Sequence, residues 1–148
     1  MIGLLQRVRE ARVEVDGETV GAISTGLLVF VGVEHGDGES QARRLLERIL
    51  GYRVFGDAQG RMNHSVRDIQ GGLLLVPQFT LAADTRKGFR PNFTPAAPQE
   101  QGQQLFEYLV NQARAEYTPV ATGLFGANMQ VSLLNDGPVT LWLQTKAG

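Results

Sequence analysis

The sequence predicts a mixed α/β domain of about seven strands in one or two sheets, with two helices packed against one face. Three observations carry this. Leu27-Leu28-Val29-Phe30-Val31-Gly32-Val33 and Leu73-Leu74-Leu75-Val76 are unbroken apolar runs of strand length, the pattern of strands covered on both faces. Ala42–Leu50 and Leu105–Ala113 repeat apolar residues at helical spacing. Both ends of the chain alternate with the period of two that belongs to half-buried strands.

In chain order, Ile2 to Val20 reads as β. Ile2, Leu4 and Val8 share one parity and Ala11, Val13 and Val15 the other, so the buried face changes near Arg9 and Glu10 through a bulge or bend. Asp16-Gly17 marks a tight hairpin turn. Gly26 punctuates the chain before the first central strand, and Glu34 to Glu39 form a Gly- and Asp-rich loop. Ser40 is placed to cap a helix whose stripe is Ala42, Leu45, Leu46, Ile49 and Leu50, with Arg43, Arg44, Glu47 and Arg48 facing water. Gly56 to Asp68 is rich in turn residues. The second central strand then runs directly into Pro77-Gln78-Phe79-Thr80-Leu81. Thr85 to Gln99 holds too much proline and charge for regular structure, and Pro98 suits the first turn of a second helix striped by Leu105, Phe106, Leu109, Val110 and Ala113. Met129–Leu134 and Val139–Gln144 read as two strands joined by a short turn at Asn135-Asp136-Gly137-Pro138.

Composition narrows the function. The chain has 148 residues, 43% hydrophobic and 20% charged, with no repeat, linker or composition shift, so residues 1–148 are read as one domain. Such a length buries roughly 68 to 70% of the surface of the unfolded chain. Cysteine is absent, which removes disulfides, thiolate zinc sites and cysteine nucleophiles. Lys plus Arg is 14 against 15 for Asp plus Glu, so a nucleic-acid partner must meet a local patch rather than a global field. The longest apolar stretch is far below the ~20 residues that cross a bilayer, and Arg7, Arg9 and Glu10 stand where a signal peptide is apolar. A cytoplasmic protein is expected.

The usual hydrolase devices are missing: no G-x-S-x-G elbow, no Walker loop, no H-E-x-x-H. His35 and His64 lie in loops without a nucleophile at any recognised spacing and read as ordinary loop histidines. Gln78-Phe79-Thr80 at a strand end is either a simple terminus or a group of main-chain donors and a hydroxyl around a carbonyl, which suits an activated ester without a strong base. Gly137-Pro138 is either part of a plain turn or a cis pair presenting carbonyl oxygens as a rigid wall. Arg86-Lys87-Gly88-Phe89-Arg90-Pro91 places cations beside an aromatic ring, suited to a phosphate or a base end, or else to solvent. Arg43, Arg44 and Arg48 extend that patch if the fold gathers them.

These residues resemble, over essentially the whole length, the bacterial D-aminoacyl-tRNA deacylase family. The likeness rests on Gln6-Arg7-Val8, Gly26-Leu27-Leu28-Val29, Asn63 and Ser65, Gln78-Phe79-Thr80-Leu81-Ala82-Ala83-Asp84, Lys87-Gly88 with Arg90-Pro91 and Phe93, and Gly123-Leu124-Phe125-Gly126-Ala127. Met129, Val131, Asn135 and Gly137-Pro138-Val139-Thr140 complete it. The resemblance implies a three-layer α/β/β fold with mixed sheets and two main helices, and a homodimer with active sites at the subunit interface. It implies hydrolysis of the ester joining a D-amino acid, or glycine, to tRNA, as proofreading in translation, with no cofactor or metal. Gln78, Phe79 and Thr80 become the catalytic residues. Substrate would be held by Pro77, Phe89, Met129 and Arg7, with a cis Gly137-Pro138 reaching in from the partner subunit, and tRNA by Arg86, Lys87 and Arg90.

The resemblance also accounts for the missing base, since the family is thought to use the tRNA 2′-hydroxyl, with Thr80 the rival as nucleophile. One residue departs: Pro77 stands where the family usually has serine, so both a hydroxyl and an N–H are lost. A sister deacylase of animals, acting on L-alanyl-tRNA, shares this Pro-Gln pair. The alternatives are therefore L-alanyl-tRNA editing and a non-catalytic RNA-binding homodimer.

Overall fold

The computed structural model describes residues 1–146. Its main sheet has six strands: β1 (Ile2–Val15), β2 (Glu18–Ile23), β3 (Gly26–Gly32), β6 (Gly72–Pro77), β7 (Val120–Thr122) and β8 (Gln130–Gln144). A small hairpin, β4 (Phe55–Gly56) with β5 (Met62–His64), lies apart from it. The helices are α1 (Glu39–Gly51), the one-turn α2 (Val66–Ile69) and α3 (Gln99–Glu116).

β1 organises the sheet. Along one edge it pairs antiparallel with β8. Along the other it meets β3 through Ile2–Val8 and then β2 through Ala11–Val15. β3, β6 and β7 run parallel, as strands rich in Leu and Val do when both faces are covered. Gly26 and Gly72 face each other in that parallel pair so closely that a Cβ on Gly26 would overlap the Gly72 carbonyl, which is why glycine begins the strand. Asp16 and Gly17, with φ of 51° and 81°, make the β1–β2 turn in the left-handed conformation that a two-residue hairpin requires.

The two faces of the sheet bury separate cores. Leu27, Val29, Leu73 and Leu75 point to the helices, against Leu45 and Ile49 of α1 and Phe106 and Leu109 of α3. Leu28, Leu74 and Val76 point the other way, against Val8, Ala11 and Val13. β2 curls over this second core until Gly21 touches β7, where an added Cβ would lie 2.5 Å from the Thr122 carbonyl oxygen. The sheet thus nearly closes, giving the layered arrangement of helices, sheet and returning sheet.

Pairing of β1 with β8 slips on either side of Val8, which keeps Val8, Ala11 and Val13 on one face despite their mixed parity. This is the bulge predicted at Arg9 and Glu10. Both helical stripes are buried as predicted. Three details differ. α1 begins after Gly38, whose N–H donates to Gln41 Oε1 (2.7 Å), so Ser40 lies inside the helix instead of capping it. Among the described residues the strands number eight, because the turn-rich segment holds the β4–β5 hairpin and Val120–Thr122 form β7. The predicted C-terminal hairpin is a single long strand, β8, since both of its halves pair with β1 and Asp136–Val139 bulge out opposite Arg7.

Candidate active site

β6 ends at Pro77, and the chain turns at once into a 3-10 turn, Phe79–Ala82. Gln78 is held at the junction by its N–H, which donates to Val31 O of β3 (2.8 Å). The first N–H groups of the turn, on Phe79 and Thr80, have no acceptor within it, as at the start of any such turn. The Gln78 side-chain amide donates to the Thr80 hydroxyl, so the two polar side chains are fixed together. No residue of this stretch is ionisable.

Beyond this end of the sheet opens a cavity of about 720 Å³, a size suited to a nucleoside-sized ligand. Val31, Val33 and Pro77 form its floor at the carboxyl ends of two parallel strands, the position where open α/β sheets bind ligands. Phe106 of α3, Phe125 and Met129 form one wall, and Phe79 and Phe93 the rim. The Phe79 and Phe93 rings lie 5.0 Å apart at 49°, and Phe79 is 59% exposed, an apolar edge left open to solvent. Its polar contributions come from Gln78, His35, Thr94 and Gln99.

Gly137-Pro138 lies elsewhere. The pair occupies the β8 bulge, its peptide bond is cis, and it lines no part of this cavity. Arg7 spans the base of the bulge, with Nε donating to Asp136 O (2.8 Å) and Nη1 to Val54 O (2.6 Å). Asn135 closes it from the other end, accepting from Val139 N–H (2.8 Å) and donating to Thr140 Oγ1 (3.0 Å). At Gly137, φ is +141°, and a Cβ would sit 2.9 Å from Arg7 Nη2 and Val139 Cγ2. The bulge is therefore convex, exposed and pinned by hydrogen bonds.

The basic loop is partly self-neutralised. Arg86 grips Asp84 through Nε–Oδ1 (2.9 Å) and Nη2–Oδ2 (2.8 Å), and these bonds lower the Asp84 carboxyl to about 2. Lys87 and Arg90 are exposed, and among the described residues neither enters an ion pair. Phe89 is fully exposed at the loop tip, away from the cavity.

Of the residues singled out in the sequence, the fold brings Pro77, Gln78, Phe79 and Met129 into one cavity with Thr80 beside them, and leaves Arg7, Gly137 and Pro138 on a separate projection. His35 enters the wall although it read as a loop histidine. The available signal was its place just after a buried strand that runs parallel to β6. Phe93 and Phe125, which the sequence offered only within the family likeness, come from loops, and their spatial convergence assigns them to the cavity.

Residues 4–144 match the family described as D-Tyr-tRNA(Tyr) deacylase. The chain is 67% identical over 144 residues to the D-aminoacyl-tRNA deacylase of Thioalkalivibrio sulfidiphilus (strain HL-EbGR7), covering 97% of each chain. It is 66% identical over 146 residues to the D-aminoacyl-tRNA deacylase of Alkalilimnicola ehrlichii, covering 99% of this chain and 97% of that one. The solved structure of c-Myc DNA Unwinding Element Binding Protein superimposes with a TM-score of 0.94 at 39% identity, over 99% of this chain and 100% of that one. A structure described as a probable eukaryotic D-amino acid tRNA deacylase shares the fold, with a TM-score of 0.82 at 14% identity over 97% and 98% of the two chains.

Proposed function

The chain belongs to the D-Tyr-tRNA(Tyr) deacylase family and is a hydrolase of the ester between a D-aminoacyl group and tRNA, and we propose that it performs this reaction by positioning, without a protein general base. The observation that supports this reading most is the end of β6, where Gln78 and Phe79 line a nucleoside-sized cavity with Thr80 beside them, and none of the three is ionisable.

In this reading the terminal adenosine of tRNA fills the apolar cavity and its aminoacyl ester lies over the Phe79 and Thr80 N–H groups. Those groups donate to the carbonyl oxygen as it gains charge. Water, oriented by the tRNA 2′-hydroxyl, adds its oxygen to the carbonyl carbon. The ester C–O bond then breaks, the 3′-oxygen leaves and takes up a proton, and free D-amino acid departs from intact tRNA. Glycyl-tRNA is a second substrate, since glycine presents no side chain to reject.

Selection of the D-enantiomer needs a rigid group near Cα, which the cavity of one chain does not provide. Gly137 and Pro138 project away from their own cavity, and we place them in the cavity of a second copy, where their carbonyls hold the substrate amino group and exclude an L side chain. The active form is then a homodimer with two interfacial sites, acting in the cytoplasm where charged tRNA is used. Pro77 and Met129 contact the aminoacyl group, and the exposed loop of Arg86, Lys87, Phe89 and Arg90, outside the cavity, contacts tRNA.

The test is deacylation of matched D-tyrosyl-tRNA and L-tyrosyl-tRNA, with L-alanyl-tRNA included because of Pro77. Cleavage of the D-ester with both L-esters spared is expected. Cleavage of L-alanyl-tRNA would transfer the chain to the other specificity, and no cleavage at all would leave an RNA-binding role.

A further inference from the structure

We propose that a second, polar hollow, between α1 and the end of β8, binds a backbone phosphate of the same tRNA; this rests on the reading that the tRNA 3′ end occupies the cavity. The hollow has a volume of about 350 Å³ and is bordered by Arg44 and Arg48 of α1 and by Lys146, with Ser40, Gln41 and Gln144 between them. Among the described residues its wall has three cations and no carboxylate.

Its geometry is fixed by the fold. Thr145 Oγ1 donates to Gln41 O (3.1 Å), and Thr145 N–H donates to Met1 O (2.8 Å), which fastens the end of β8 beside α1. Arg48 lies over the Tyr52 ring, 5.8 Å from its centroid, which restrains its direction. Arg44 meets Glu47 at 3.0 Å, but both side chains are more than half exposed, so water screens that pair and the guanidinium can exchange its partner. Two guanidinium forks and an ammonium around hydroxyl and amide donors suit a phosphate. Among the described residues no apolar side chain lines the hollow to receive a base or side chain.

Position selects tRNA as the source of that phosphate. A single loop, residues 34–38, separates the hollow from the cavity. On one side Gln144 Nε2 donates to Glu34 Oε1 (2.8 Å), and on the other His35 enters the cavity wall. In this proposal a nucleic-acid strand whose last nucleoside is in the cavity crosses this loop, whose Glu34 and Asp37 carboxylates are paired with the Met1 ammonium, toward Arg44 and Arg48. The sequence read Arg43, Arg44 and Arg48 as the outer face of a helix, able to extend the Arg86–Arg90 patch if the fold gathered them, and none of Arg86, Lys87 and Arg90 borders the hollow.

The experiment compares the intact protein with an Arg44→Gln/Arg48→Gln double variant and with Lys146→Gln. Three readouts are taken: D-tyrosyl-tRNA hydrolysis across a salt series, hydrolysis of a D-tyrosyl ester of adenosine, which carries no phosphate, and binding of uncharged tRNA by fluorescence anisotropy. The double variant is expected to lose about tenfold in kcat/KM for the tRNA ester through KM. Its salt slope becomes shallower by about one to two, as lost phosphate contacts require. Lys146→Gln shifts both in the same direction by less, and the adenosine ester is cleaved as before. An unchanged KM and slope, or an equal loss on both esters, overturns the proposal. So does unchanged binding of uncharged tRNA by the double variant in the anisotropy measurement. If the unaltered protein cleaves neither ester, the functional reading fails on its own, and anisotropy still decides whether the hollow contributes to tRNA binding.

Discussion

The cavity beyond β6 takes its shape from apolar packing, whereas the Gly137–Pro138 bulge takes its shape from hydrogen bonds. Val31, Val33, Pro77 and Phe106 line the first and continue the core from which they emerge. The second stands off the edge strand with little apolar support and depends on Arg7 and Asn135. A packed floor tolerates substitutions that conserve volume. A bulge set by a few directional bonds is lost when one of them goes. If the two halves of the site meet across a dimer, the sensitive half is the one that confers selectivity and the tolerant half is the one that holds the nucleoside.

The largest expected effect is therefore at Gly137. Gly137→Ala places a methyl group 2.9 Å from Arg7 Nη2 and Val139 Cγ2 at a φ of +141°, so the bulge must move. Deacylation of D-tyrosyl-tRNA should fall on the order of 100-fold, the usual result of a displacement near 1 Å at a positioning group. The melting temperature should change little, because the bulge is exposed. Retained activity would show that the bulge has no part in the site.

Arg7→Ala comes next. It leaves the Asp136 and Val54 carbonyls without the guanidinium that joins them. Thermal denaturation should report a loss of about 2 kcal/mol for bonds to a charged donor, with enantiomer selectivity weakened alongside. Arg7→Lys should not rescue selectivity, since one ammonium cannot reproduce two fixed N–H directions. Full rescue would mean that charge, not the fork, matters at the bulge.

The same contrast explains how much of the molecule was legible in the sequence. The central strands and both long helices follow from hydrophobic period, because Leu27–Val33, Leu73–Val76 and the stripes of α1 and α3 owe their conformation to burial. The floor of the cavity was legible for the same reason, as the place where a buried strand gives way to polar residues. The bulge was not. Asn135-Asp136-Gly137-Pro138 carries every residue of an ordinary hairpin turn, and what makes it a bulge inside one long strand is pairing of both halves of β8 with β1, at the other end of the chain. The roles of Phe93, Phe125 and His35 were not legible for a related reason: the first two entered only through the family likeness and the third as a loop histidine, and only the folded chain brings them to one cavity.

Smaller effects are expected on the packed side. Thr80→Ala should cost less than about tenfold in kcat if its hydroxyl only receives the Gln78 amide, against at least about 10⁴-fold for a nucleophile. Pro77→Ser should change kcat/KM by less than about threefold, under about 1 kcal/mol, because Pro77 contributes surface to the floor and no donor. A loss at Thr80 larger than the loss at Gly137 would reverse the comparison and favour covalent catalysis. A large gain from Pro77→Ser would mean that the floor is impaired and that tolerance there has been overstated.

The smallest effect tests whether the loop cations belong to the site at all. Asp84 is held near 2 by its bonds to Arg86, below the usual carboxylate value. A carboxyl depressed in the folded state adds stability above its unfolded pKa and loses it as the pH falls through the folded one. The Asp84–Arg86 pair therefore persists down to about pH 2, and an NMR titration of the Asp84 carboxyl should show no protonation between pH 8 and 4. At neutral pH this pairing withholds Arg86 from a phosphate. Asp84→Asn removes the carboxylate without removing the loop, so KM for D-tyrosyl-tRNA should fall about twofold to threefold and its salt slope steepen by up to about one. An unchanged KM and slope would place Arg86 outside the tRNA path, leaving Lys87 and Arg90 as the loop's contribution and confining the remaining electrostatic recognition to residues nearer the cavity.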